Sequence, residues 1–227
     1  MSLYPINLKI AGKLCVIVGG GVVANRKATG LIEAGAHVRV ISPDLVDGLQ
    51  ELAHQKKLEW FSRTFAEGDL KGAFLVFAAT NNSGVQAQIH QEAENNRVLL
   101  NSADDPGGCN FHVPAHFRRG KMLLSISTGG GSPALAKELR EKLEGVLVPE
   151  YALVVELLSL IREKILTSGD NQQVHTELFR SLLKNGIVDM VLSANWFDVQ
   201  MLLLEKLPDH VDGVTLLKKF LEKHDRV

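Results

Sequence analysis

Gly19-Gly20-Gly21-Val22-Val23-Ala24 fits the spacing Gly-x-Gly-x-x-Gly/Ala. The chemistry this spacing serves is phosphate binding. Gly19 permits a tight turn, Gly21 lets backbone approach a pyrophosphate, and Ala24 allows a helix to pack closely on a strand. The helix that follows contributes unpaired N–H groups and a positive dipole end. An acidic residue after the next strand would accept the ribose 2′-hydroxyl and repel a 2′-phosphate. Asp44 stands there, 20 residues past Ala24, in Ser42-Pro43-Asp44-Leu45-Val46, a stretch without arginine. This favours NAD over NADP. A helix cap is the alternative role for Asp44.

Three further stretches carry groups that could act in the same crevice. Ala78-Ala79-Thr80-Asn81-Asn82 follows an apolar run, so Thr80 and Asn81 could line a cofactor or simply make a turn. Asn101-Ser102-Ala103-Asp104-Asp105-Pro106 offers a general base in Asp104 or Asp105, or a turn before proline. His112, His116, Arg118, Arg119 and Lys121 form a basic cluster able to hold carboxylates, or a solvated hairpin. A second glycine-rich stretch, Thr128-Gly129-Gly130-Gly131-Ser132-Pro133, lacks the Gly-Lys-Ser/Thr of a P-loop. No Gly-x-Ser-x-Gly, His-Glu-x-x-His or metal-ligand spacing occurs, and no metal site is expected.

The elements that must position these groups alternate. Leu14–Val18 and 74–79 are continuous apolar runs, as in strands buried on both faces of a parallel sheet. Strands are also expected over 38–41, 58–61 and 97–100. Helices are expected over 22–34, 45–54 and 85–95, with Gly35 just past the first. This order predicts an α/β fold with a Rossmann-type doubly wound parallel sheet. Beyond residue 100 the pattern changes to a strand over 122–126, then a helix capped by Ser132 with Pro133 in its first turn and ended at Gly145. From 149 onward only helices are expected, at about 153–161, 174–184, 195–206 and 214–223.

Composition narrows the function classes. The chain has 227 residues, with 25 basic against 26 acidic, so no global field draws it to nucleic acid or an anionic membrane. Cys15 and Cys109 are too far apart for a Cys-x-x-Cys site and give no disulfide framework. No secretory leader pattern and no apolar run of roughly 18 residues is present, which predicts a cytoplasmic protein without membrane spans.

Together these stretches resemble the precorrin-2 dehydrogenase/sirohydrochlorin ferrochelatase family, which includes the dehydrogenase module of siroheme synthase. The resemblance rests on Tyr4-Pro5-Ile6, residues 16–27, Phe77-Ala78-Ala79-Thr80, residues 101–106, Phe111-His112-Val113-Pro114 and residues 127–136. It implies an NAD-binding domain over 1–113, a dimerisation segment over 114–148 and a helical domain over 149–227. It also implies oxidation of precorrin-2 to sirohydrochlorin in siroheme biosynthesis, by a homodimer. Asp104 falls on the family's essential aspartate, and Val22, Val23, Pro43 and Asp44 on its NAD contacts. The serine that some members carry in the second glycine-rich loop is Thr128 here. Some members also insert ferrous or cobaltous ion into the product, and the residues leave that second activity open. The rival reading is an NAD-sensing regulatory domain without catalysis, which would have no need of residues 101–104 or the second glycine-rich loop.

Overall fold

The computed structural model describes residues 3–102, 107–166 and 172–224. Five parallel strands form the main sheet: β1 (Leu14–Val18), β2 (His37–Ile41), β3 (Glu59–Phe61), β4 (Leu75–Ala78) and β5 (Leu99–Ser102), in the order β3-β2-β1-β4-β5. β1 is central, paired with β2 on one side and β4 on the other. Its residues Cys15, Val16 and Ile17 are fully buried whichever face they point to, which is why the strand is continuously apolar rather than alternating. Alternate residues feed two cores. Cys15, Ile17, Leu75 and Phe77 pack with Ala24, Ala28 and Leu31 of α1 (Val22–Glu33) and Leu49 of α2 (Asp47–His54). Val16, Val18, Val76, Ala78 and Leu100 pack with Ile89 and Ala93 of α3 (Ser83–Asn96). Helices therefore cover both faces, as expected for a doubly wound sheet.

The chain forms two compact units, one ending at Val113 and the other beginning at Pro114. In the second, β6 (Ala115–Arg119) and β7 (Met122–Ile126) make an antiparallel hairpin, followed by α4 (Pro133–Val146). Then come α5 (Tyr151–Leu166), α6 (Gln172–Lys184), α7 (Ile187–Leu192), α8 (Trp196–Lys206) and α9 (Gly213–His224). Their shared core includes Leu157, Ile161, Leu182, Ile187, Leu203 and Phe220. Among the described residues, no helix is long and apolar enough to cross a membrane.

Several boundaries differ from the sequence reading. Arg97 is not in a strand: it ends α3 in the left-handed region at φ 56°, and its N–H reaches back to Ala93 O and Glu94 O. β5 accordingly starts at Leu99 and runs on to Ser102, because Asn101 and Ser102 pair with Phe77 and Ala78 of β4. β6 is unmarked in the sequence; Phe117 is its one large apolar residue, so no two-residue alternation announces it. α7 is six residues long, too short to show a helical period. α4 continues through Gly145 to Val146. Ser132 does cap α4, accepting the Leu135 N–H at 3.2 Å, with Pro133 in the first turn.

Candidate nucleotide site at the carboxyl edge of the sheet

The glycine turn leaves the end of β1, the central strand. Gly19 takes φ +125°, and a Cβ there would stand 2.1 Å from the Ala79 carbonyl oxygen. Its N–H donates to Ile41 O of β2 (2.9 Å), while Ala79 N donates to Val18 O (2.8 Å). Gly20 is equally confined, by the backbone of Asp44. Gly21 differs: among the described residues, nothing lies within 4 Å of where its Cβ would be. The first two glycines are therefore required by the protein's own packing. The third leaves a bare stretch of backbone facing open space.

Gly21 is also the N-cap of α1, where no side chain caps the helix and no acidic residue occupies the first turn. The early N–H groups of α1 thus retain their capacity to bind an anion. Val22 and Val23 are exposed beside it, at 76% and 40%. This arrangement fits a pyrophosphate: backbone donors, a positive helix end, and no competing carboxylate in the first turn.

Pro43 and Asp44 lie exposed just after β2, on the loop that packs on Gly20. Trp60 Nε1 holds Ser42 O at 2.9 Å, and Ser62 Oγ donates to Pro43 O at 3.3 Å, fixing the loop. Arg39 and Arg63 are engaged by Glu59 and Asp69, at 2.6 Å each. Thr80, half-buried after β4, has its hydroxyl accepting from Asn82 N (3.3 Å). Asn82, in turn, caps α3 by accepting from Val85 N at 3.0 Å. Gly19, Gly21, Val22, Val23, Pro43, Asp44 and Thr80 are thus carried by the turns that follow β1, β2 and β4, at one edge of the sheet.

At the end of β5 the described chain supplies scaffolding. Asn101 donates from Nδ2 to Phe111 O (2.9 Å), and Asn110 Oδ1 accepts from Leu100 N (2.8 Å). Cys109 Sγ accepts from Ser102 N at 3.1 Å. Among the described residues, the buried Ser102 Oγ has no hydrogen-bond partner. Asp104 and Asp105, expected to follow as general base and neighbour, lie outside the described residues. Cys15, by contrast, is fully buried in the sheet core, and burial pushes its thiol up to about 11.

The basic cluster separates by role. Alternation along β6 turns Arg119 inward, where Nε donates to Leu147 O (3.0 Å) and Nη2 to Glu144 O (3.1 Å), tying the hairpin to the end of α4. His116 lies by Pro114 O (3.0 Å) and Lys121 is 4.0 Å from Glu163. Arg118 and His112 are exposed. In the second glycine-rich loop, the Thr128 hydroxyl donates to Ser132 O and accepts from Ser132 N, closing the loop on itself.

Sequence reasoning assigned no role to Lys27. It sits on α1 with its ammonium 4.8 Å from the centre of the Phe77 ring. Burial first, and then the like charge of Arg26, lower its pKa, with Cys109 acting in the opposite sense. The available signal was a lysine one helical turn past the glycine motif.

Comparison with known proteins bears on this edge directly. Residues 6–115 match a family model described as "Putative NAD(P)-binding". Siroheme synthase 3 of Aeromonas hydrophila is 39% identical over 165 residues, covering 73% of this chain and 35% of that protein. The chain is thus similar to siroheme synthases over most of its own length. The siroheme synthase of Nitrosococcus oceani is 34% identical over 193 residues, covering 85% of the chain and 41% of the relative. The chain thus spans well under half the length of these relatives. Among solved structures, "SirC, precorrin-2 dehydrogenase" superposes with a TM-score of 0.68 at 23% identity, covering 99% of this chain and 100% of that one. The α/β sheet, the small hairpin and the helical region therefore form a fold shared with that structure.

Proposed function

We propose that the chain is a precorrin-2 dehydrogenase, oxidising precorrin-2 to sirohydrochlorin with NAD in the cytoplasm. The observation that carries this reading is the open backbone at Gly21, beside two glycines that the fold itself requires, in a chain similar to siroheme synthases over most of its length. The nicotinamide, when bound, accepts the hydride. The chain's residues do the rest. Gly21, Val22 and Val23 present backbone N–H groups to the pyrophosphate, and Gly19 and Thr80 shape the turns around it. Pro43 and Asp44 face the adenosine ribose, where the Asp44 carboxylate favours a 2′-hydroxyl over a phosphate. With Arg39 and Arg63 already paired, NAD is preferred to NADP.

Oxidation of the macrocycle releases one hydride and one proton. Asp104 is the residue we propose to orient the ring and accept that proton. It would follow directly on β5, whose last residues are held in register by Phe77 and Ala78. We further propose that two copies associate through α4, on which Leu135, Leu139, Leu143 and Val146 are exposed.

The test is an anaerobic assay with precorrin-2 and NAD, followed by absorbance and repeated with ferrous or cobaltous ion. Sirohydrochlorin formed only when NAD is present is the expected result, and the metal additions report whether chelation accompanies it. A protein that binds NAD but leaves precorrin-2 unchanged is instead a cofactor sensor.

A further inference from the structure

Lys27 stands in the second turn of α1, half-buried. Its ammonium lies over the Phe77 ring, and among the described residues the groups acting on it electrostatically are Arg26 and Cys109, neither of them a carboxylate. Among the described residues it makes no ion pair. Taking an ammonium partly out of water without an anionic partner is unfavourable, and a ring face recovers only part of that cost. A lysine serving the fold alone would be matched, as Arg63 is by Asp69 and Arg39 by Glu59.

Its position says where an anion would come from. Phe77 is the penultimate residue of β4 and pairs with Asn101 of β5. Cys109 is fastened to the backbone of Ser102, the last residue of β5. The Lys27 side chain leans toward the N-terminus of its helix, as helical side chains do. The ammonium therefore lies at the carboxyl ends of β4 and β5, to one side of the Gly19–Gly21 turn. The turn's own N–H groups are those proposed above for a pyrophosphate, so an anion at Lys27 would be a separate one.

We propose that Lys27 binds a carboxylate on the periphery of the tetrapyrrole and so sets the macrocycle's orientation at the carboxyl edge. This rests on the precorrin-2 reading above. A compact ammonium on a long stem suits a flexible acetate or propionate arm, for which a point charge is enough.

The test compares Lys27→Met, which keeps the apolar stem over Phe77, with Lys27→Gln and Lys27→Arg. Turnover of precorrin-2 is measured together with the Kd for NAD, the thermal midpoint, and binding of uroporphyrin, a redox-stable polycarboxylate porphyrin. In Lys27→Met and Lys27→Gln, KM for precorrin-2 and Kd for uroporphyrin should rise about 10- to 100-fold, as loss of a charge-assisted hydrogen bond predicts. NAD affinity and thermal midpoint should stay at wild-type values, and Lys27→Arg should recover most of the loss. Wild-type KM and uroporphyrin affinity in both neutral variants overturn the inference. So does a loss confined to NAD affinity. If the wild-type protein neither oxidises precorrin-2 nor binds uroporphyrin, the precorrin-2 reading itself fails, and this inference with it. That outcome is seen before any variant is compared.

Discussion

The backbone of Gly20 lies so close to Asp44 that a Cβ on the glycine would stand 1.8 Å from the Asp44 carbonyl oxygen. The two are also linked through Val46, whose N–H donates to Gly20 O at 2.9 Å. The turn proposed to hold the pyrophosphate and the loop proposed to hold the ribose are therefore one packed unit. Gly20→Ala is expected to destabilise the protein by about 2–4 kcal/mol, because the obstructing atom is backbone and cannot swing aside. Denaturant unfolding of the variant measures this directly.

Gly21→Asp should behave in the opposite way. Among the described residues, no atom lies near the position of its Cβ, so the thermal midpoint should change little. The added bulk and negative charge at the N-terminus of α1 should weaken NAD binding by at least about 10-fold, or 1.4 kcal/mol. Unaltered NAD affinity by calorimetry would place the cofactor elsewhere.

Asp104→Ala is expected to bind NAD as the wild type does while losing turnover by about 100-fold or more, the scale of a general base. Single-turnover measurements of NADH formation check it. Full activity in that variant would remove Asp104 from the chemistry.

The Asp69 carboxylate sits against Arg63, with Nη1 and Nη2 donating at 2.7 and 2.6 Å and Ala66 N at 2.8 Å. Burial by itself would raise its pKa. The Arg63 and Ala66 hydrogen bonds and the charges of Arg63 and Arg39 outweigh that and hold it below the usual carboxylate range. A depressed carboxylate stabilises the folded state at pH values above its unfolded pKa of about 3.9. That contribution is lost as pH falls through the folded value. Asp69→Ala should cost about 1–3 kcal/mol at neutral pH, by leaving the Ala66 N–H and the guanidinium without their acceptor. The gap from wild type should narrow below about pH 4. A gap that stays constant down to about pH 2, in urea unfolding, would show that Asp69 acts through packing alone.

How much of this was legible beforehand depended on how far the information had to travel along the chain. β1, the glycine turn and α1 occupy neighbouring positions, and each is marked by its own composition: a continuous apolar run, three glycines, then apolar residues at helical spacing. The cap of α4 was equally local, since Ser132 and Leu135 are three residues apart. Arg97 escapes the sequence reading because a non-glycine residue in the left-handed region leaves no compositional mark. The basic cluster could not be divided from sequence. Whether Arg119 faces solvent or the end of α4 is settled by the phase of β6, and Leu147 lies 28 residues away.

By itself, then, the sequence determined the order of strands and helices, the phosphate-binding spacing at Gly19–Ala24, and a set of motifs dense enough to resemble one enzyme family. These are properties of short segments, carried by backbone freedom and hydrophobic period. Only the tertiary structure decided which glycines the fold itself requires and which it leaves open, because Ala79 and Asp44 reach Gly19 and Gly20 from beyond other strands while, among the described residues, nothing reaches Gly21. It alone placed Lys27 over Phe77, 50 residues further on, with no carboxylate beside it among the described residues. Contacts between distant segments exist only once the sheet has assembled, and the free energy of an ammonium or a glycine is set by those contacts, not by its neighbours in sequence.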